Sequence, residues 1–143
     1  MALFANAEVG PDITTTIHGA HGVVLSAPLG TAVHAKAVVA TTTASTTPTG
    51  TVDFRLYSNA SCTGTPTTQA GVPLVGGVAE SATTTVGASG LSYIVRYNGD
   101  TDNAPSEDGC VAVIVTAPGT VLSTALSSST VLVGTFVHES ATL

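Results

Sequence analysis

Gly30-Thr31-Ala32-Val33-His34-Ala35-Lys36-Ala37-Val38-Val39 returns near the C-terminus as Gly134-Thr135-Phe136-Val137-His138-Glu139-Ser140-Ala141-Thr142-Leu143, and this echo restricts the fold more than any other feature. The offset is 134 − 30 = 104 residues. Self-similarity at about that period belongs to tandem β-sandwich arrays. The chain therefore reads as one complete module followed by the opening strands of a second. Modules of this kind build and bind far more often than they catalyse.

The 143 residues suit one domain with appendages, since domains of roughly 100–150 residues are the commonest size. Only 4% of residues are aromatic and 8% charged, with no Trp, so the core must come from Val, Ala, Leu and Ile and the surface from Thr and Ser. β-branched Val and Thr fit a pleated, half-buried sheet and lose rotamer freedom in a helix. The net charge is −6, and the three cations, Lys36, Arg55 and Arg96, are scattered. Without clustered cations there is no electrostatic footprint for nucleic acid or for an anionic membrane surface. No run reaches the 18 or so apolar residues of a membrane span, so no membrane insertion is expected.

The apolar pattern supports strands throughout. Residues 1–12 read as an irregular arm ending at Gly10-Pro11, and residues 13–25 as two short strands joined by a turn around His18–Gly22. Val33, Ala35, Ala37 and Val39 then alternate with His34, Lys36 and Val38, the period of two of a strand with one buried face. Val52, Phe54 and Leu56 alternate with Asp53 and Arg55, which this reading places to pair across solvent. Weaker strands are expected at Val72–Val75 and Val78–Thr84, around a tight Gly76-Gly77 turn. Tyr93, Val95 and Tyr97 share a face opposite Ser92, Ile94 and Arg96, and Val111, Val113 and Val115 follow the acidic loop Asn98–Gly109. The expected core is Val52, Phe54, Leu56, Tyr93, Val95, Val111 and Val113. Ala117-Pro118-Gly119 ends the module, and further strands are expected over Val121–Leu126, Thr130–Val133 and Phe136–Leu143.

Short strands divided by Gly, Pro, Asn and Thr turns, with no helical periodicity, indicate an all-β antiparallel sandwich. Thr-Pro-Thr-Gly-Thr-Val-Asp-Phe at 47–54, Cys-Thr-Gly-Thr at 62–65 and Tyr-Asn-Gly-Asp-Thr-Asp-Asn at 97–103, followed by Cys110 and a Val-rich strand, resemble bacterial immunoglobulin-like repeats. Such repeats are strung along bacterial surface proteins and are grafted onto phage head and tail proteins. The resemblance covers roughly residues 13–116 and implies an immunoglobulin-like β-sandwich. Residues 117–143 then form a linker and a partial second repeat. Similar repeats carry cysteines at the places of Cys62 and Cys110, which implies a disulfide; the alternative is two thiols at a loop end.

Other constellations are weaker. Asp100, Asp102, Asn103, Glu107 and Asp108 gather oxygen donors in one loop, as calcium prefers, but their spacing matches no EF-hand. Asn98-Gly99 reads better as turn chemistry. His18, His21, His34 and His138 read as a solvated strand face rather than a metal cluster. No Gly-x-Ser-x-Gly elbow or other catalytic set stands out, so neither enzyme activity nor a cofactor is expected. A sugar platform would need exposed aromatic rings. Tyr93 and Tyr97 read as core, which leaves Tyr57 as the tyrosine for such a role.

Met1–Ala7 has no basic start and no sustained apolar stretch, so it does not read as a secretory signal. One permitted disulfide in a Ser/Thr-rich β-module nonetheless suits an oxidising, extracellular setting. Three accounts reconcile the two: a signal already removed, another route of secretion, or an assembled particle that leaves the cell on lysis. The leading expectation is a non-enzymatic virion decoration or head/tail accessory protein, located on the virion surface. The alternatives are a repeat of a bacterial surface adhesin or extracellular filament and, third, a carbohydrate-binding module. The expected partners are other protein subunits, in a homo-oligomer or on a particle. Val121, Leu122, Val131, Val133, Phe136 and Val137 are the candidate assembly residues, because unpaired strands invite pairing with another chain.

Overall fold

The computed structural model describes residues 10–41, 46–117, 123–126 and 139–142, all in strands, turns and loops. One sheet is built on β1 (Asp12–Gly19), β2 (Gly22–Val23), β4 (Ala32–Ala40), β7 (Val78–Glu80) and β8 (Thr84–Thr85), in the order β2-β1-β4-β7 with β8 also on β4. The second contains β3 (Ser26–Pro28), β5 (Thr51–Tyr57), β6 (Thr67–Pro73), β9 (Leu91–Tyr97), β10 (Ser106–Glu107) and β11 (Val111–Thr116). Its order is β3-β11-β9-β5-β6, with β10 on β9.

Alternation decides which face each strand buries. On β4, Val33, Ala35, Ala37 and Val39 point inward while Val38 is exposed. On β5 and β9 the opposed pairs Val52–Tyr97 and Phe54–Val95 are buried. Together with Ile17, Ala79, Val86 and Val113 they form one core drawn from both sheets, a β-sandwich arrangement. Leu56 and Val111 sit at its margin, partly buried. The small inward alanines of β4 leave room for Phe54, Tyr93 and Tyr97 opposite, so the few aromatic rings lie where the facing strand is thin.

Three expectations need correction. The sheets are not wholly antiparallel, because β3 runs parallel to β11, pairing Ser26 with Ile114 and Pro28 with Thr116. After pairing with β4 through β1, the chain turns at Ala20-His21 and crosses to the other sheet, where Ala27 is buried. Asp53 and Arg55 do not pair with each other. Arg55 bonds Glu107 of β10 at 3.0 Å, reaching past β9 on the same sheet, while Asp53 accepts the Gly71 N–H at 2.8 Å and the Asn98 amide at 2.9 Å. Cross-strand neighbours on a sheet face approach more closely than residues two apart on one strand. Finally, the expected strand Val78–Thr84 is interrupted after Glu80: Ser81 still donates its N–H to the Ala35 carbonyl at 2.9 Å, but its Oγ, not its carbonyl, accepts the Ala35 N–H at 2.9 Å, and the strand resumes only at Thr84.

Two glycine positions carry the geometry of the β6–β7 connection. Gly76 and Gly77 have φ of 59° and 78°, the positive pair that a two-residue hairpin turn demands, and Val75 and Val78 close it with reciprocal hydrogen bonds. This hairpin hands the chain from one sheet to the other. Gly71, at φ 69°, sits in a bulge of β6 opposite Asp53, whose carboxylate takes its N–H.

β12 (Ser123–Leu126) and β13 (Glu139–Thr142) pair antiparallel, from Ser123↔Thr142 to Leu126↔Glu139. Val121, Leu122, Val131, Val133, Phe136 and Val137 lie outside the described residues, as do residues 1–9 of the expected arm.

Candidate functional site

The disulfide expectation is met: Cys62 and Cys110 are bridged, with Cα atoms 6.0 Å apart. The bond ties the loop after β5 to the start of β11. That loop is ordered locally by Asn59, whose side-chain oxygen accepts the Ser61 N–H at 3.0 Å and the Ser61 hydroxyl at 2.9 Å. Beneath it lies Ser92, a residue the alternation assigns to the outer face. Ser92 is fully buried, and its hydroxyl donates to the Asn59 carbonyl at 2.6 Å while accepting the Cys62 N–H at 2.9 Å. The bridged loop covers the outer face of β9 at this end, which period-two reasoning about a single strand does not anticipate.

The acidic loop does not form one cluster. Asp100 accepts five hydrogen bonds: from Thr49 N–H and hydroxyl, both 2.8 Å, from the N–H groups of Asp102 and Asn103, and from the Asn103 amide. The Thr49 N–H leads in holding its carboxyl well below the usual carboxylate range, with Asn103 and Asp102 adding to it. Asp108 accepts the Thr15 N–H at 2.8 Å and its neighbour Gly109 N–H at 2.7 Å, thereby anchoring β1. Glu107 is committed to Arg55. The candidate calcium donors thus serve separate parts of the fold, and among the described residues no three His, Cys, Asp or Glu side chains are grouped to hold a metal.

Thr49 is fixed a second time, because the buried Tyr97 hydroxyl donates to its carbonyl at 2.8 Å. Burial pushes that hydroxyl up to about 12, with Asp100 reinforcing the shift. The Asp100 network gives stability a defined acid limb. A carboxyl whose folded pKa lies below its unfolded value stabilises the fold above the unfolded range, and this contribution is lost as pH falls toward the folded pKa. Asp100→Asn is therefore expected to flatten the decline of stability below about pH 4. Urea denaturation at stepped pH checks this; an unchanged acid limb in the variant would refute it.

Tyr57, the tyrosine available to a sugar platform, is only 7% exposed, and Tyr93 and Tyr97 are still more buried. Tyr57 therefore presents no open ring face for a sugar. A groove of about 270 Å³ opens at the sandwich edge between β6 and β7–β8, floored by Phe54, Leu56 and Tyr93. Across it the Ala82 N–H donates to the Gln69 side-chain oxygen at 2.8 Å. Its rim of Thr and Ser side chains offers hydrogen bonds without an acid–base pair. On the opposite sheet, His18 and His34 face each other across β1 and β4, their ring centroids 5.7 Å apart and their planes 25° from parallel. No family model, curated protein or solved structure matches this chain.

Proposed function

We propose that this chain is a non-enzymatic structural protein that displays an immunoglobulin-like domain on a particle surface and assembles through its C-terminal segment. The motifs that resemble bacterial immunoglobulin-like repeats suit a phage virion decoration or head/tail accessory role. The strand plan supports the immunoglobulin-like reading: β1 pairs with β4, and between them the chain crosses so that β3 runs parallel to β11, the last strand of the first module.

The observation that carries the assembly reading is the register of β12–β13. In the first module Thr14↔Val38 and Ile17↔Ala35 are partners; in the tail Ser123↔Thr142 and Leu126↔Glu139 are. At the 104-residue sequence offset β13 falls on residues 35–38 of β4, and like β4 it pairs antiparallel with an earlier strand; with Val38 and Thr142 equated (142 − 38 = 104), the earlier strand is offset by 123 − 14 = 109, so its connection to the second strand is 109 − 104 = 5 residues shorter. Ser-Thr-Ala-Leu thus replaces Thr-Thr-Thr-Ile in the same pairing scheme. In the first module this pair is buried against the sheet that contains β5 and β9. A two-stranded hairpin is marginal by itself in water and gains stability when a second layer covers it. On a particle, a neighbouring subunit supplies that layer or adds a strand to its edge.

Removing residues 118–143 is expected to leave a folded module, judged by its unfolding transition, that no longer assembles. Sedimentation and electron microscopy of both forms test this, and equal assembly of the truncated form would end the proposal. The alternative is a repeat of a bacterial surface adhesin or extracellular filament. The Cys62–Cys110 bridge favours it, since such bonds persist in oxidising surroundings.

A further inference from the structure

We propose that His18 and His34 form a two-imidazole chelate for a borderline transition-metal ion, of the class of Cu2+, Ni2+ and Zn2+, on the outer face of the β1–β4 pair. The two residues are direct partners in the antiparallel ladder. Their inward neighbours Ile17, Val33 and Ala35 are buried in the core, so the backbone beneath both rings is fixed while the rings themselves stay partly accessible. Directly opposed residues hold their Cβ atoms about 4.5–5.5 Å apart. At that separation, rotation about the side-chain bonds brings one nitrogen of each ring within the roughly 2.0–2.1 Å of a single ion.

A second, independent observation concerns the other ring nitrogens. His18 Nε2 lies 2.9 Å from the Thr16 hydroxyl oxygen, and His34 Nε2 lies 4.0 Å from a carboxylate oxygen of Glu80. Histidines that bind metal commonly give their remaining N–H to an oxygen of this kind, which fixes the tautomer and raises ligand basicity. In the tautomer that directs Nε2–H at Thr16 and Glu80, each ring keeps its lone pair on Nδ1. The Thr16 contact is within hydrogen-bond range, whereas Glu80 at 4.0 Å reaches His34 only after a side-chain adjustment.

The surrounding charges do not oppose a cation. Lys36 is two residues along β4 and is opposed by Glu80 on β7, so the local pair is neutral overall. His21 sits in the turn after β1, and Val23 of β2 is the other neighbour of His18. Two imidazoles leave the remaining coordination positions to water, which agrees with the lack of any three-ligand group among the described residues. Imidazole donors suit Cu2+, Ni2+ and Zn2+, and Cu2+ binds first-row sites most tightly.

Calorimetric titration of the full chain with Cu2+ in a non-coordinating buffer tests the assignment. One ion per chain is expected, with weakening by about tenfold or more in His18→Ala and in His34→Ala, since even outer partners of metal ligands contribute 10–100-fold. His21→Ala and His138→Ala should bind as the parent does. A readout that needs no variant is proton NMR with substoichiometric Cu2+. The ring signals of His18 and His34 should broaden together, ahead of the other two. Equal broadening of all four, or unchanged affinity in either of the first two variants, would overturn the chelate.

Discussion

Phe54→Ala is expected to destabilise the module by about 3–5 kcal/mol, the usual range for deleting a buried aromatic ring. Phe54 is 1% exposed at the centre of β5, opposite Val95, with its ring edge-on to Tyr93 at 6.4 Å and 86°. The core it belongs to includes the small Ala35, Ala37 and Ala79, whose single methyl groups have no rotamer that could fill a vacated space. On the other side the ring floors the edge groove, so water can enter and relieve part of the cavity cost. These opposing effects place the loss in the lower half of the range. For a domain of about this size each kcal/mol shifts Tm by roughly 4–8 °C, so the variant should melt well over 10 °C below the parent. Phe54→Leu keeps most of the volume and should cost under about 1.5 kcal/mol. Val38→Thr, on the exposed face of β4, should change stability by no more than about 0.5 kcal/mol. Thermal and urea unfolding followed by circular dichroism read all three. Equal stability of Phe54→Ala and Val38→Thr would mean that the inward face has been misassigned.

The inward face is legible because β4 alternates throughout and β5, β9 and β11 carry their large apolar residues on one side, although Tyr57 and Ser92 are buried on the other. Val33, Ala35, Ala37, Val39, Val52, Phe54, Tyr93, Val95 and Val113 are all buried, as their period implies. Strands without a buried side were not legible. β6 begins at Thr67, earlier than its apolar residues suggest, since an exposed edge strand of Thr, Gln and Gly has no hydrophobic signature. β10 was hidden in the acidic loop for the same reason; Glu107 is recognisable only by its ladder partner Arg96 and its ion pair with Arg55. Ala27 and Val86 are core residues from segments too short to establish a period, while Ile17 lies in the eight-residue β1, where the inward Thr15 masks the alternation. The candidate site divides in the same way. The Cys62–Cys110 pairing followed from the family resemblance, whereas the His18–His34 apposition depends on the β1–β4 register, and no local pattern fixes a register between strands separated by a turn, a crossing and a return.

Breaking the Cys62–Cys110 bridge should cost about 4 kcal/mol in the chain-entropy account, in which the bond restricts the unfolded chain according to the size of the closed loop. The two residues are 48 apart in sequence. The closed segment contains β6, β7, β8, β9 and β10, so the bond constrains the strands that link the two sheets. Folded-state effects add to this. Cys62 holds the loop lid over Ser92, and a lid no longer tethered to β11 admits water to the Ser92–Asn59 and Cys62–Ser92 hydrogen bonds. Ser92→Ala in the oxidised protein isolates this second contribution. It leaves the Asn59 carbonyl and the Cys62 N–H without their partner and should cost about 1–3 kcal/mol. Because the bridge and the serine stabilise the same loop, their effects are coupled. Ser92→Ala should cost less in a Cys62→Ser/Cys110→Ser background than in the bridged protein, where the loop cannot lift to hydrate the abandoned groups. Denaturant midpoints for the four forms measure the coupling directly. A bridge-free protein as stable as the parent would remove the entropic argument, and strictly additive losses would show that loop and bridge act on different parts of the sandwich.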